Sequence, residues 1–167
     1  MSVLWAVLLL VALQRLAELV YARRNTRRLL AEGASEVGAA HYPLLVGLHA
    51  LWLLALALTV PADATPNWLL LAAFLGLQAL RVWILLSLGR YWTTRIITLP
   101  QAPLVRRGPY RFLRHPNYLV VAGEILILPL AFGAWEVALG FSLANALLLA
   151  HRIRLENAAL APRRAVS

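Results

Sequence analysis

Residues 117–151 read NYLVVAGEILILPLAFGAWEVALGFSLANALLLAH, and this apolar stretch decides the fold. It is interrupted only around Phe132–Glu136, where small, aromatic and acidic residues replace the aliphatic run. At ~1.5 Å per residue it is too long for one crossing of a hydrocarbon core about 30 Å thick. The stretch therefore predicts a helical hairpin with short arms at about 117–132 and 135–151, and Pro129 is placed to kink the first arm.

The rest of the chain is equally apolar. Of 167 residues, 62% are hydrophobic and 14% charged, and the mean hydropathy is +0.73. Soluble domains are typically ~45–50% apolar and ~25% charged, so this composition excludes a disordered chain and disfavours a water-soluble core. Three more stretches, about 2–22, 42–60 and 67–89, are long enough to span a bilayer. We expect a single-domain, all-α integral membrane protein with about five transmembrane helices.

Arginine placement predicts the orientation. All 16 basic residues are arginine, and the net charge is +9. Four follow the first span, six lie in 90–116 and four lie in the C-terminal tail, whereas 61–66 and 133–136 contain none. By the positive-inside rule the arginine-rich side and the C-terminus are cytoplasmic, and the N-terminus is outside. Charge at the ends of spans indicates contact with membrane lipids and argues against nucleic acid as a partner.

Polar residues also occur inside the predicted spans. Arg15 and Arg81 lie roughly 12–13 Å below the cytoplasmic edge, where a charge costs ~2.5–3.5 kcal/mol. Residues of similar depth are Gln14, Glu18, His49, Gln78, Glu124 and Asn145. Two interpretations compete for this layer: an interhelical hydrogen-bond network that joins the bundle, or a polar cavity for a charged ligand.

The most distinctive motif is 108–118, GPYRFLRHPNY. Its opening Gly-Pro pair predicts a turn, and Pro116 suits the first turn of a helix, where the missing N–H costs nothing. Arg114, His115 and Tyr118 therefore surround the cytoplasmic mouth of the fourth span.

A second polar cluster closes the other arm of the hairpin at 151–157, HRIRLEN. Arg152 and Glu156 are four residues apart and share a helix face. Because the hairpin arms are antiparallel, both polar clusters are expected at the cytoplasmic surface. The four histidines have no close ligand spacing and the chain has no cysteine, so no metal site is expected.

In this order and spacing, the motifs resemble those of the isoprenylcysteine carboxyl methyltransferase family and the wider phospholipid methyltransferase group. Those enzymes carry Gly-Pro-Tyr…Arg-His-Pro-x-Tyr, a hydrophobic hairpin and Arg-x-x-x-Glu-Glu; the resemblance covers about 90–160. The N-terminal part looks like the small bacterial branch that includes alkylpyrone O-methyltransferases. Two departures are Val120, where the family often has glycine, and Asn157, which replaces the second glutamate.

The resemblance implies S-adenosylmethionine as methyl donor, bound between the hairpin and the C-terminal helix. The cofactor-binding residues it implies are Tyr110, His115, Pro116, Tyr118 and Glu156. A carboxylate such as Glu156 suits the donor's sulfonium, ammonium and ribose hydroxyls. An aromatic ring such as that of Tyr118 suits its adenine.

The acceptor determines which catalytic residues are needed, and the candidates are Arg114, Arg152 and Glu124. A carboxylate acceptor needs no base and can be oriented by Arg114 or Arg152. An enol or phenol needs a base, and then Glu124, His115 or His49 is a candidate. A lipophilic acceptor would enter sideways between spans, and the Ala/Leu/Arg-rich composition points to a bacterial inner membrane. The alternatives are a non-enzymatic transporter or scaffold and a membrane reductase that uses a nicotinamide cofactor.

Overall fold

The computed structural model describes residues 2–100 and 102–164, with residues 163 and 164 described by their backbone alone. Five α-helices dominate it: α1 (Val3–Ala31), α2 (Tyr42–Thr59), α3 (Trp68–Leu88), α4 (Pro116–Ala131) and α5 (Trp135–Arg164). Two short strands, β1 (Ser35–Val37) and β2 (Ile96–Thr98), and single 3-10 turns at Ala39–His41, Gly89–Tyr91 and Gly108–Arg111 complete the described chain. The predicted all-α class is confirmed.

Four helical segments are long and apolar enough to cross a membrane: Val3–Ala31, Ala39–Thr59, Trp68–Tyr91 and Trp135–Pro162. The exception is α4, whose 16 residues extend about 24 Å and fall short of a full hydrocarbon core. Leucines on the outer helix faces are largely exposed, as a lipid-facing surface requires; Leu58 and Leu147 are each 76% exposed. The protein is an integral membrane protein.

The hairpin turns where the apolar run is interrupted. Gly133 has a φ of +74°, a conformation that favours glycine, and its N–H donates to the Leu130 carbonyl. The Ala134 N–H donates to the Pro129 carbonyl at 2.9 Å and closes the turn. α4 and α5 therefore run antiparallel from this point.

Both terminal helices are longer than the apolar stretches that predicted them. α1 continues nine residues past the predicted end at 22, and α5 continues 13 residues past 151. The added residues are rich in Arg, Leu and Ala, which are good helix formers but not apolar as a group. Hydropathy therefore ends before the helix does, and α5, about 45 Å long, projects beyond the bilayer core.

The bundle interior is packed with apolar side chains at the end opposite the arginine-rich motifs. Leu8 of α1, Trp52 of α2, Phe74 of α3 and Ile125 and Leu128 of α4 belong to one buried cluster. At the other end, Ala22, Ile84, Trp92 and Val120 form a smaller one. Tyr110 of the 108–118 motif packs against this smaller cluster.

A short antiparallel pair links two connecting segments. β1 pairs with β2, with Ser35 opposite Thr98 and Val37 opposite Ile96. Arg95 Nη1 donates to Glu36 Oε1 at 2.7 Å, and its guanidinium lies 4.5 Å from the Tyr42 ring centroid. We call residues 33–41 and 92–98 the strap. Because the strap contacts α5, it closes one side of the space between α4 and α5.

Candidate functional site

A cavity of about 460 Å³ lies where the strap, the loop after β2, the start of α4 and the second half of α5 meet. This volume is within the range of small-molecule sites. Six residues predicted from the sequence line it: Tyr110, Arg114, His115, Tyr118, Arg152 and Glu156. Pro116 is buried as the first residue of α4 and is not part of the lining. The structure thus brings together most of the two predicted polar clusters.

The two arms of the hairpin are joined across the cavity by Tyr118 and Glu156. The Tyr118 hydroxyl donates to Glu156 Oε2, which lies 38 residues away on α5. The Tyr118 ring stacks on the His115 ring, with centroids 5.4 Å apart and planes inclined by 22°. One face of Tyr118 is therefore covered by protein, which reduces the room for the predicted adenine stacking on this ring.

Asn157 orients His115. His115 Nε2 lies 3.1 Å from Asn157 Oδ1, and because an amide oxygen only accepts, Nε2 carries the proton and donates. His115 Nδ1 is then an acceptor, and it lies 3.8 Å from Glu156 Oε1, too far for a hydrogen bond. The residue that departs from the Glu-Glu pattern thus selects the tautomer of the motif histidine.

Arg152 is held by three separate elements. Its Nε donates to the Tyr118 hydroxyl at 2.8 Å, and its Nη2 donates to the Thr94 carbonyl at 2.8 Å. Its Nη1 lies 3.4 Å from His41 Nε2. Every guanidinium nitrogen therefore has a partner within the protein, and the residue joins α5 to α4 and to both halves of the strap.

Arg114 differs from Arg152 in this respect. It is exposed at the edge of the cavity, and within the described residues no hydrogen bond or ion pair engages it. Its planar guanidinium can therefore reach a ligand in the cavity, as two-point recognition of a carboxylate requires.

Tyr110 is a neutral hydroxyl donor in this wall. Burial raises the pKa of its phenol well above the ordinary value, and the nearby Glu156 carboxylate raises it further. Both causes disfavour the phenolate, so the hydroxyl keeps its proton at physiological pH.

Three buried polar atoms of the cavity wall have no hydrogen-bond partner within the described residues: Trp92 Nε1, His115 Nδ1 and Asn117 Oδ1. Neither Trp92 nor Asn117 was predicted as a site residue from the sequence. Trp92 is 2% exposed, and its carbonyl accepts from Asn25 Nδ2 at 2.9 Å. Buried polar groups are rarely left unpaired, so these atoms indicate where a polar ligand would bind.

Glu124 lies elsewhere, in what we call the buried ionic ring. The ring consists of Arg15 and Glu18 of α1, Arg81 of α3 and Glu124 of α4, with Gln14 and Gln78 at its edge. Glu124 accepts from Arg15 Nη2 at 2.6 Å, Arg81 Nη1 at 3.1 Å and Gln78 Nε2 at 2.8 Å. Glu124 follows Tyr118 by six residues, about 9 Å along α4, and is not part of the cavity lining.

The other carboxylate of the ring, that of Glu18, also has both oxygens hydrogen-bonded. Glu18 accepts from Arg81 Nε at 2.6 Å and Nη2 at 2.8 Å, from Arg15 Nη1 at 3.0 Å and from Gln14 Nε2 at 3.0 Å. Two guanidinium groups and two carboxylates are thus interlocked. This geometry favours the interhelical network over a ligand cavity as the interpretation of the predicted polar layer.

His49 is also separate from the cavity. Its Nδ1 lies 2.8 Å from the Leu45 carbonyl of its own helix, and its ring meets Trp52 edge-on with centroids 6.5 Å apart. This is the arrangement of a packed, hydrogen-bonded histidine rather than of a base that faces an acceptor.

Comparison with known proteins gives the site a context. Residues 68–162 match the model of the isoprenylcysteine carboxyl methyltransferase family. The chain is 41% identical to the uncharacterized protein YpbQ of Bacillus subtilis (strain 168), over 93% of this chain and 95% of the relative. It is 27% identical to an uncharacterized protein of Haemophilus influenzae, over 82% and 83% of the two chains. No solved structure matches the chain.

Proposed function

The chain belongs to the isoprenylcysteine carboxyl methyltransferase family, and from this premise we propose that it is an S-adenosylmethionine-dependent O-methyltransferase for a lipophilic acceptor. The observation that carries the proposal is the cavity lined by Tyr118 of α4 and Glu156 of α5, with its unpaired polar atoms. The family match includes both helices and the whole cavity-forming motif.

The cavity wall suits the chemistry of the methyl donor. Glu156 is a carboxylate for the donor's cationic or hydroxyl groups, and the unpaired His115 Nδ1 and Asn117 Oδ1 are further acceptors. The Trp92 Nε1–H is an unpaired hydrogen-bond donor. It suits the carboxylate or an adenine ring nitrogen of S-adenosylmethionine. Tyr118, tied to both Glu156 and Arg152, holds this wall rigid.

When bound, S-adenosylmethionine supplies a sulfonium methyl that an acceptor oxygen attacks in line, while the carbon–sulfur bond breaks and its electron pair goes to sulfur. The chain's part is to orient the acceptor and to exclude water. We assign acceptor orientation to Arg114, because Arg152 already uses all its nitrogens within the protein. For a hydroxyl acceptor we assign the base to His115 Nδ1, which is unpaired in the cavity wall, whereas both oxygens of Glu124 are occupied in the ionic ring.

The acceptor is expected to be an isoprenylcysteine-type carboxylate or an alkylpyrone or similar lipid. Aliphatic side chains share the cavity wall with the polar ones, among them Leu99, Leu104 and Leu113. They suit an apolar tail next to the reacting oxygen. We place this chemistry at the cytoplasmic face, because Arg106 and Arg114 line the cavity and belong to the arginine-rich segment 90–116.

Donor binding tests the proposal directly. Calorimetry on detergent-purified protein is expected to give saturable binding of S-adenosylmethionine and of its demethylated product. Glu156→Gln removes a charged acceptor whose hydrogen bonds contribute about 1.5–3 kcal/mol, so donor affinity should fall about tenfold or more. Glu136→Gln, an exposed change at the far end of α5, is the matched control and should leave affinity unchanged.

Two results would contradict the proposal. One is absence of donor binding together with saturable binding of a nicotinamide cofactor, which would favour the membrane reductase. The other is equal donor affinity in the Glu156→Gln and control variants. If binding holds, mass spectrometry of membrane lipids with and without the gene should reveal the acceptor by the mass of one added CH₂.

A further inference from the structure

A second cavity of about 340 Å³ adjoins the first and is called the annex here. It lies between the end of α3 and the loop before the Gly108–Arg111 turn, and is lined by Leu88, Arg90, Tyr91 and residues 103–107. Leu88, Tyr91 and residues 103–106 also line the first cavity, so one wall separates the two spaces. Neither the predicted motif residues nor the proposed donor site uses the annex.

Arg107 is fixed in the annex wall by the end of α3. Its Nε donates at 2.8 Å to the carbonyl of Ser87, one of the last carbonyls of α3, which have no partner within the helix. Gly108 has a φ of +58°, and a Cβ there would lie 2.0 Å from Ser87 Oγ. Only glycine permits this close approach. Within the described residues the two η nitrogens of Arg107 have no hydrogen-bond partner.

Arg90 contributes an unsatisfied donor to the same wall. Its Nη2 pairs with Glu32 at the end of α1, and its guanidinium lies 5.5 Å from the Tyr91 ring centroid. Its Nε is buried and has no hydrogen-bond partner within the described residues. A buried N–H without an acceptor is unfavourable unless a ligand or water supplies one. Arg90 and Arg107 therefore both hold unused donors beside the annex.

The annex combines this charge with apolar walls. Its cationic residues are Arg90, Arg106 and Arg107, and the residues that line it include no aspartate or glutamate. Leu88, Leu104 and Val105 supply aliphatic surface between the arginines. The annex lies at the arginine-rich end of α3, the depth at which lipid headgroups meet a membrane protein.

From these observations we propose that the annex binds an anionic amphiphile: a phosphate or carboxylate held by Arg90 and Arg107, with its apolar tail along Leu88, Leu104 and Val105. Guanidinium groups match the planar, two-oxygen geometry of both anions. Basic pockets at the cytoplasmic ends of spans bind lipid headgroups by the same chemistry. The anion comes either from a membrane phospholipid or from the acidic oxygen of the methyl acceptor; only the second source rests on the proposed function.

Decyl phosphate is the probe, titrated calorimetrically into the full-length protein in a neutral maltoside detergent, with protein-free micelles as blank. We expect saturable binding that weakens with added salt and falls at least tenfold in Arg107→Gln. The matched control is Arg111→Gln, which removes the same charge from the neighbouring turn but lines neither cavity. Its affinity should equal that of the unchanged protein.

Two further variants keep the test decisive if Arg107→Gln unfolds. Arg106→Gln leaves the Ser87 contact intact and should also weaken binding, whereas Arg107→Lys keeps the charge and should recover part of the affinity. Absence of saturable binding, or equal affinity in Arg106→Gln, Arg107→Gln and Arg111→Gln, would overturn the proposal. The affinity for S-adenosylmethionine is measured on the same samples. This measurement distinguishes failure of the anion site from failure of the proposed methyl transfer.

Nanodiscs distinguish the two sources of the anion. If the occupant is a phospholipid, phosphatidylglycerol should compete with decyl phosphate. The apparent affinity for decyl phosphate should then be lower in nanodiscs that contain phosphatidylglycerol than in nanodiscs of pure phosphatidylcholine. If the occupant is the acceptor, the affinity should be the same in both membranes. Both results support the anion site, and each assigns its occupant.

Discussion

Gly108 shows how a single residue sets the approach of the Gly108–Arg111 turn to α3. Its positive φ disfavours any side chain, and a Cβ would also meet Ser87 and the indole nitrogen of Trp83 at 3.2 Å. Residue 108 therefore has two independent reasons to be glycine. One reason is the backbone conformation and the other is the closeness of α3.

Replacing this glycine should separate the two effects. Gly108→Ala is expected to destabilise the protein by about 2–5 kcal/mol, the sum of left-handed backbone strain and overpacking. Gly133→Ala, where φ is +74° but no atom lies within 4 Å of the added Cβ, should cost only about 1–2 kcal/mol. The measurement is reversible unfolding in mixed detergent micelles. Equal losses in the two variants would show that the contact with Ser87 is unimportant.

Arg152 is the second residue whose role is local and testable. Lysine cannot reproduce three hydrogen bonds in a planar fork, so Arg152→Lys should leave the Thr94 carbonyl without a donor or remove the hydrogen bond that the Tyr118 hydroxyl accepts. We expect a lower unfolding temperature and weaker donor binding. Arg154→Lys, two residues along the same helix, is the control. Normal donor affinity with a changed acceptor KM would instead favour Arg152 as the residue that orients the acceptor.

Among the residues around the cavity, only those that belong to a sequence motif could be predicted from the sequence. Spacing along the hairpin was enough to bring Tyr118 and Glu156 together, because antiparallel helices joined by a tight turn leave little freedom. The partners of Arg152 were not predictable, since Thr94 and His41 reach it through the strap from distant parts of the chain. Trp92 gave no signal beyond its residue type, because its burial depends on packing against Ala22, Ile84 and Val120 of three different helices.

At the scale of elements, the buried ionic ring joins α1 to α3 and α4. The family match begins at residue 68, so α1 lies outside the matched region and α3 and α4 lie inside it. Four carboxylate oxygens accept from two guanidinium groups and two glutamine amides, which leaves the ring formally neutral. The polar residues at comparable depth in the spans predicted that this layer exists. Which of them pair with one another depends on how each helix is rotated about its axis, and the sequence composition does not determine that rotation.

Removing one carboxylate from the ring should lower the free energy of unfolding. Glu124→Gln leaves two buried guanidinium groups facing one carboxylate, and removal of one partner of a buried pair typically destabilises by about 3–5 kcal/mol. The double variant Glu124→Gln/Arg15→Gln restores neutrality and should recover part of that loss in a double-mutant cycle. Glu136→Gln should change unfolding by no more than about 0.5 kcal/mol. Additive losses in the double variant would contradict a coupled ring.

The strap is the element that sequence reasoning missed altogether. Each strand has only three residues, too few for the alternating pattern that reveals a strand. Its partly exposed ion pair, Arg95 with Glu36, contributes about 0–1 kcal/mol by itself. The strap is also held by contacts with distant elements, such as the hydrogen bond from Arg152 of α5 to the Thr94 carbonyl, and these exist only in the assembled bundle.

At the scale of the whole molecule, the proposed orientation can be tested by labelling, because the chain has no cysteine to give a background. Ala62→Cys lies between α2 and α3, on the side predicted to face outward, and Ser35→Cys lies in the strap. A membrane-impermeant maleimide added to intact cells should label Ala62→Cys and spare Ser35→Cys until the membrane is opened. The reverse pattern would place the cavity on the outer face.

The ionic ring also constrains the order in which the protein can be built. Arg15 and Glu18 are on the same helix, so α1 can leave the insertion machinery with its two charges already neutralised by each other. α3 then brings Arg81, a third charge that turns this pair into a cationic trio. The second carboxylate, Glu124, follows Arg81 by 43 residues, so the trio stays unbalanced until α4 has been synthesised. The charges of the ring are therefore balanced only once the fourth helix has joined the first and the third.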